Sequence, residues 1–114
     1  MNILTELNTL LNGIGIPVET GIFSEKAPAE YIVITPLVDT FPIHADNQPQ
    51  NETQEARLSL FSKNNYIKRK NEITKELLSA DFTITERKYI GYEADSNYHH
   101  YAIDVAITHE FKEV

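Results

Sequence analysis

Between Thr53 and Phe82 the hydrophobic period of the chain changes once, and a fold that accommodates both periods has to lay a helix on a sheet. Ala56, Leu58 and Leu60 alternate with Arg57 and Ser59, the period of two that sends apolar side chains to one face of a sheet and polar ones to the other. Phe61 interrupts the alternation and has three possible places: closing the sheet edge, covering the start of the next element, or exposed. After the polar break Ser62-Lys63-Asn64-Asn65, the residues Tyr66, Ile67, Ile73, Leu77 and Leu78 recur at helical spacing, while Lys68, Arg69, Glu72, Lys75 and Glu76 fall on the opposite side. Asn64 or Asn65 suits the helix N-cap, because a short side-chain oxygen there accepts from a free first-turn N–H.

The rest of the chain supplies partners for this unit. Ile3, Leu4, Leu7, Leu10 and Leu11 form an apolar stripe on a first helix over Ile3 to Asn12, with Gly13 placed for a left-handed ending. Ile16, Val18 and Ile22 allow a short strand ending near Phe23. Tyr31 to Val38 is rich in β-branched and aromatic residues and reads as a strand. Pro36 cannot donate to a neighbour, so the strand is at an edge or bulges there. Asp39 to Asn51 contains two prolines and no periodicity and reads as a loop of about 13 residues, the length at which loops are functional or mobile. Its Phe41, Ile43 and His44 suit either a loop folded over the core or a contact arm. Phe82 to Glu86 alternates as a strand with Phe82 and Ile84 on one face, Gly91 to Asn97 is turn-rich, and Tyr98 to Phe111 alternates throughout, as a central strand would. The expected fold class is α+β: a mostly antiparallel β-sheet with two α-helices packed on one face, in the order α-β-β-β-α-β-β, as a single domain over residues 1–114.

Charge and composition exclude several functions. The formal net charge is -7, the wrong sign for gripping nucleic acid over a broad surface. No Lys or Arg occurs between Ala27 and Ala56, where Glu30, Asp39, Asp46, Glu52 and Glu55 fall. The run Lys68-Arg69-Lys70 reads as a solvated helix face paired with Glu72 and Glu76 rather than a basic patch. Cysteine is absent, which removes disulfides, thiolate metal sites and thiol nucleophiles. The start MNILTELNTLL has no basic region or cleavage site and no apolar run approaches a membrane span. The expectation is a protein that stays where it is made, with no membrane partner.

The candidate chemical sites are weak. His99 and His109 share a strand face but lie roughly 33 Å apart at strand rise, His99 and His100 point to opposite faces, and His44 with Asp46 offers too few ligands for a metal. Ser59 and Ser62 lack a nucleophile motif. Asp95 and Asp104 are one of many carboxylate pairs that can be drawn among 17 acidic residues. Tyr89, Tyr92, Tyr98 and Tyr101, without a basic background, read as sheet and interface aromatics. The expectation is no catalytic, metal or cofactor site.

In the order of its elements, the chain resembles the small tail-completion proteins of long-tailed bacteriophages, the tail-terminator or head-to-tail joining family often met in prophages of Gram-positive bacteria. The features that carry the likeness are the first amphipathic helix, YIVI after the turn at Ala27-Pro28, the acidic loop, RLSLFSKNNY from Arg57 to Tyr66, the aromatic strand start at Phe82, and YEADSNYHHYAIDVAI from Tyr92 to Ile107. Together they span about Ile3 to Lys112. Asp81 stands where such proteins often have glycine, and aspartate tolerates the left-handed turn. The resemblance implies a structural protein, not an enzyme, found in the virion tail after assembly in the host cytoplasm. It would form a homo-oligomeric ring, commonly a hexamer, capping the head-proximal end of the tail tube. Its partners would be the major tail tube protein and the head connector or head-completion protein, with DNA passing through the channel without specific binding. Asp39, Phe41, Ile43, His44 and Asp46 would then belong to an interface or channel loop. Lys68, Arg69, Glu72 and Lys75 would form a helix face that meets a neighbouring copy. The alternative is a small non-enzymatic protein-binding module acting as a monomer or dimer.

Overall fold

The computed structural model describes residues 2–20, 28–41 and 51–110. The elements are α1 (Ile3–Ile14), β1 (Val18–Thr20), β2 (Glu30–Thr40), β3 (Asn51–Ser62), α2 (Tyr66–Ser79), β4 (Thr83–Glu93) and β5 (Tyr98–Glu110). They build one five-stranded sheet in the order β1-β2-β3-β5-β4. Every pairing is antiparallel except the short parallel contact of β1 with β2. Strand β5, the longest, is paired on both sides by β3 and β4.

The alternation in β3 sets the core. Ala56, Leu58 and Leu60 lie opposite Val105, Ile103 and Tyr101 of β5, and Leu58 and Leu60 lie opposite Ile34 and Ile32 of β2. These rows, with Ile3, Leu7 and Leu11 of α1 and Ile73 and Leu77 of α2, form one buried cluster. Both helices therefore cover the same sheet face. The helix stripes are narrower than the periodicity suggests: Leu4 and Leu10 are half-buried at the border, and Ile67 and Leu78 are exposed at 51% and 57%. In a 14-residue helix only Ile73 and Leu77 reach the bottom of the groove, and Ile67 and Leu78, eleven residues apart and so at nearly the same helical angle, lie together on one flank of it.

Local chemistry explains most boundaries. Asn65 is the N-cap of α2, its side chain accepting from Lys68 N at 3.1 Å. Asn2 caps α1 in the same way. Helix α1 ends at Gly15 with φ 87, and not at Gly13. Two more residues stay helical, because the Gly15 N–H still bonds the carbonyls of Leu11 and Asn12. Asp81 carries φ 67 at the end of α2, the left-handed conformation expected there. Pro36 sits at a bulge between Pro36 and Val38, and among the described residues β1 pairs with β2 only from Ile32 to Ile34, so the missing N–H removes no described sheet bond on the outer side.

Several strands run further than periodicity indicates. Asp39 and Thr40 are strand, opposite Gln54 and Thr53, and Asn51 is strand opposite Glu110, so the loop expected from Asp39 to Asn51 is shorter at both ends. Pairing to β3 holds Asp39 and Thr40 extended despite their turn-forming chemistry. Strand β4 continues to Glu93, including Gly91, and the turn narrows to residues 94–97, with Asn97 at φ 62. Ile22 and Phe23, expected to end the first strand, lie outside the described residues, as does Phe111. The radius of gyration of 15.5 Å and extents of 53 × 25 × 24 Å exceed the ~13 Å radius of a compact chain of this length. The sheet is the cause, because β2 is exposed along its whole distal half from Thr35 to Thr40.

Candidate interaction surface

The distal end of β2 holds two of the residues expected in a loop. Asp39 is exposed within the strand and Phe41 directly follows it, also exposed. Ile43, His44 and Asp46 lie outside the described residues. Around Asp39, the acidic side chains Glu52, Glu55 and Glu110 stand on the paired ends of β3 and β5. On that end of the sheet the one described cation is Arg57. It is engaged across strands with Asp104, Nε to Oδ1 at 2.7 Å and Nη2 to Oδ2 at 3.0 Å. The Asp104 carboxylate raises the Arg57 pKa above its ordinary value through hydrogen bonding and charge attraction, against a smaller effect of burial. Asp104 is therefore a structural anion, and no carboxylate pair with Asp95 forms.

The helix face expected to meet a neighbour is only partly available. Lys68 and Lys75 are exposed, but Arg69 turns inward. Its Nη2 donates to Glu30 at 3.0 Å and its Nη1 to Glu72. Burial pulls the Arg69 pKa down, and the two carboxylates more than offset it, holding it above the ordinary value. Glu30 also accepts from Ser62 Oγ at 2.9 Å, and that Oγ accepts from Asn64 N at 3.0 Å. This network ties the first turn of α2 to the sheet, so Arg69 and Glu72 are occupied within the chain. Lys70 places its Nζ 4.7 Å from the centre of the Tyr101 ring and does not pair with a carboxylate. Of the ion pairs expected along this run, only Arg69 with Glu72 forms among the described residues, and Arg69 pairs with Glu30 of β2 at the same time.

Two aromatic groups flank the sheet. On the face without helices, Phe61 stacks on Tyr31 at 4.9 Å and on His100 at 4.3 Å, with Tyr98 edge-on to Tyr31 and Phe61. Phe61 thus neither closes an edge nor caps a helix; it shields an open sheet face. His100 has a buried Nε2 with no hydrogen-bond partner among the described residues. Burial lowers its pKa, with Glu93 opposing and Arg57 reinforcing the shift. On the helix side, Tyr66 packs against Tyr89, His99 and Tyr101, and Tyr89 Oη meets His99 Nδ1 at 2.9 Å. His109 lies on the same side at the far end, 2.6 Å from Glu6 of α1.

The large exposed apolar side chains are not scattered. Among the described residues they are Leu37, Val38 and Phe41 at the distal end of β2, Tyr89, Ile90 and Tyr92 on β4, and Ile67 and Leu78 on α2. Six of these eight therefore cluster at two places, the distal end of β2 and the edge strand β4. No three His, Asp or Glu side chains converge as a metal site among the described residues. Ser62 is fully buried and its hydroxyl proton is committed to Glu30, which leaves it no nucleophilic role. The two patches were invisible in the sequence because strand order and strand length, not periodicity, decide which parts of the strands stay uncovered. The Glu30, Ser62 and Arg69 network was equally hidden, since its members are 32 and 39 residues apart.

No protein-family model matches this chain, and no curated protein matches it.

Proposed function

We propose that this protein is a structural component of a phage or prophage tail, capping the head-proximal end of the tail tube and joining it to the capsid connector as a ring of identical copies. The observation that carries the reading is the concentration of exposed apolar side chains at the distal end of β2 and along the edge strand β4. A chain that works by contact with copies of itself and with neighbours needs such patches, whereas scattered surface apolar residues need no explanation. The elongated sheet end, with Asp39, Glu52, Glu55 and Glu110, supports a second element of the reading. Carboxylates lining a passage would keep DNA from adhering by like-charge repulsion. The resemblance in element order agrees with both.

Electron microscopy of particles from cells lacking the protein tests the proposal. Filled capsids beside unjoined or overlong tails are expected, and normally joined particles would refute it. The rival, a monomeric or dimeric binding module, requires that the protein be missing from purified particles. The channel element is tested separately by Asp39→Lys with Asp46→Lys, which should impair DNA ejection. Unchanged ejection would remove it.

A further inference from the structure

We infer that the surface shared by α2 and the helix side of β4 docks an acidic segment of a partner protein, whose apolar side chains rest on exposed tyrosine and aliphatic groups and whose carboxylates meet Lys70 and Arg87. The docked chain differs from this one, and the surface is present whether or not the protein belongs to a tail, so the inference goes beyond the ring reading above.

Two rows build this surface. On β4, Tyr89, Arg87 and Tyr92 lie level with Tyr101, Ile103 and His99 of β5, and so on the side that carries the helices. Tyr89 and Tyr92 are three residues apart and would face opposite ways in a regular strand. The bulge between Tyr89 and Gly91 turns them to one side. On α2, Ile67, Thr74 and Leu78 recur at spacings of seven and four residues, which puts them in one row along the helix. Thr74 accepts from Arg87 Nη1 at 3.4 Å, so that row borders β4. Four of the eight large exposed apolar side chains, Ile67, Leu78, Tyr89 and Tyr92, therefore share one surface. All of them are among the described residues.

The two tyrosines are held in place within the chain. Tyr89 Oη meets His99 Nδ1 at 2.9 Å, Tyr92 Oη donates to Asn97 Oδ1 at 2.9 Å, and the Tyr89 ring packs on Tyr66. Rings fixed in this way lose little freedom when a partner covers them, which is what suits tyrosine to anchor an interface. Charge selects the occupant. Lys70 lies over the Tyr101 ring and Arg87 reaches Thr74, and neither pairs with a carboxylate among the described residues. The carboxylates of the two elements are turned elsewhere. Glu86 and Glu93 lie level with Asp104 and Tyr98, on the face without helices, where Glu86 pairs with Lys88. Glu72 and Glu76 line the groove toward α1. Asp81 and Asp95 fall in the turns that follow α2 and β4. A strip of apolar groups with two cations and no counter-charge of its own favours an acidic partner and rejects a basic one. Nucleic acid is the weaker match, since two cations stand against a net charge of -7.

Selection of random short peptides on the immobilised full chain tests this. The recovered peptides should be enriched in Asp and Glu interleaved with apolar residues. Titrated against the protein, the most enriched of them should shift the backbone amide resonances of Ile67, Lys70, Leu78, Arg87 and Tyr89 and bind less tightly as salt rises. Lys70→Gln with Arg87→Gln should weaken that binding about tenfold, and Ile67→Ser with Leu78→Ser by at least as much. Both variants should keep the wild-type circular dichroism, because all four side chains lie outside the core cluster. Peptides without acidic enrichment, resonance shifts elsewhere, or undiminished binding by the folded variants overturn the inference. So does self-association of the protein that the Lys70 and Arg87 substitutions abolish, which would assign the surface to a second copy. Tighter binding of a short single-stranded DNA than of the peptide would assign it to nucleic acid and overturn it equally. Normal particles without the protein would remove the tail reading and leave this surface standing, whereas a failed peptide selection would leave the tail reading untouched.

Discussion

Replacing Glu30 by alanine removes the one acceptor that holds the start of α2 to the sheet, and the consequence can be worked from its surroundings. The Glu30 side chain is 17% exposed and Arg69 is 28% exposed, while Ser62 is fully buried. Without the carboxylate, the Ser62 hydroxyl has no acceptor in the network, a loss of about 1–3 kcal/mol for a buried group. Arg69 keeps Glu72, and its lost partly exposed pair contributes only about 0.2–1 kcal/mol. The expected destabilisation is about 2–3 kcal/mol. With an unfolding entropy of about 2.1 cal/mol/K per residue over 114 residues, that lowers Tm by roughly 10 °C. Glu30→Gln retains an acceptor oxygen and should lose less than half as much. Urea unfolding of Glu30→Ala, Ser62→Ala and the double variant should show coupling of about 1 kcal/mol between the two sites. A loss below about 0.5 kcal/mol for Glu30→Ala, or no coupling to Ser62, would refute the view that this network fixes the helix.

Asn65→Ala removes the side-chain acceptor for Lys68 N and should destabilise by about 1 kcal/mol, whereas Asn64→Ala should leave α2 capped; chemical denaturation distinguishes them. His100 contributes a pH dependence of known sign. Its folded pKa lies below the ordinary value, so the unfolded chain binds more protons near that pH. The associated stability is complete above about pH 6.5 and is lost as pH falls through the range beneath it. His100→Phe keeps a ring against Phe61 and should flatten the stability profile between about pH 5 and pH 7 relative to the wild type. An unchanged slope would show that His100 titrates freely in the folded state.

Much of the fold was legible locally. The alternation Ala56, Leu58, Leu60 appears as a buried row, and Asn65 caps the helix because capping depends on residues within one turn. Pro36 marked a bulge in the strand, since a missing donor limits what can pair there. Misreadings arose where neighbours outvoted local chemistry. Ile67 and Leu78 fit the helical period but lie beyond the width of the groove. Asp39, Thr40 and Gly91 are poor strand formers kept in strands by pairing. Arg69 fits a solvated face but is drawn toward Glu30, a residue of another element.

The candidate surface was less legible, for a physical reason. Periodicity encodes which side of an element is apolar, because the two faces of a strand or helix meet different environments at short range. It therefore determined here that two helices cover one side of a mostly antiparallel sheet. It carries no information on the order of the strands. Only the tertiary structure placed β5 in the middle and β4 at the rim, joined Arg57 to Asp104 across 47 residues, and left Leu37 and Ile90 exposed at bulges on β2 and β4. Those outcomes depend on which backbone donors and acceptors find one another over long separations, and no residue's immediate neighbours in the chain specify that choice.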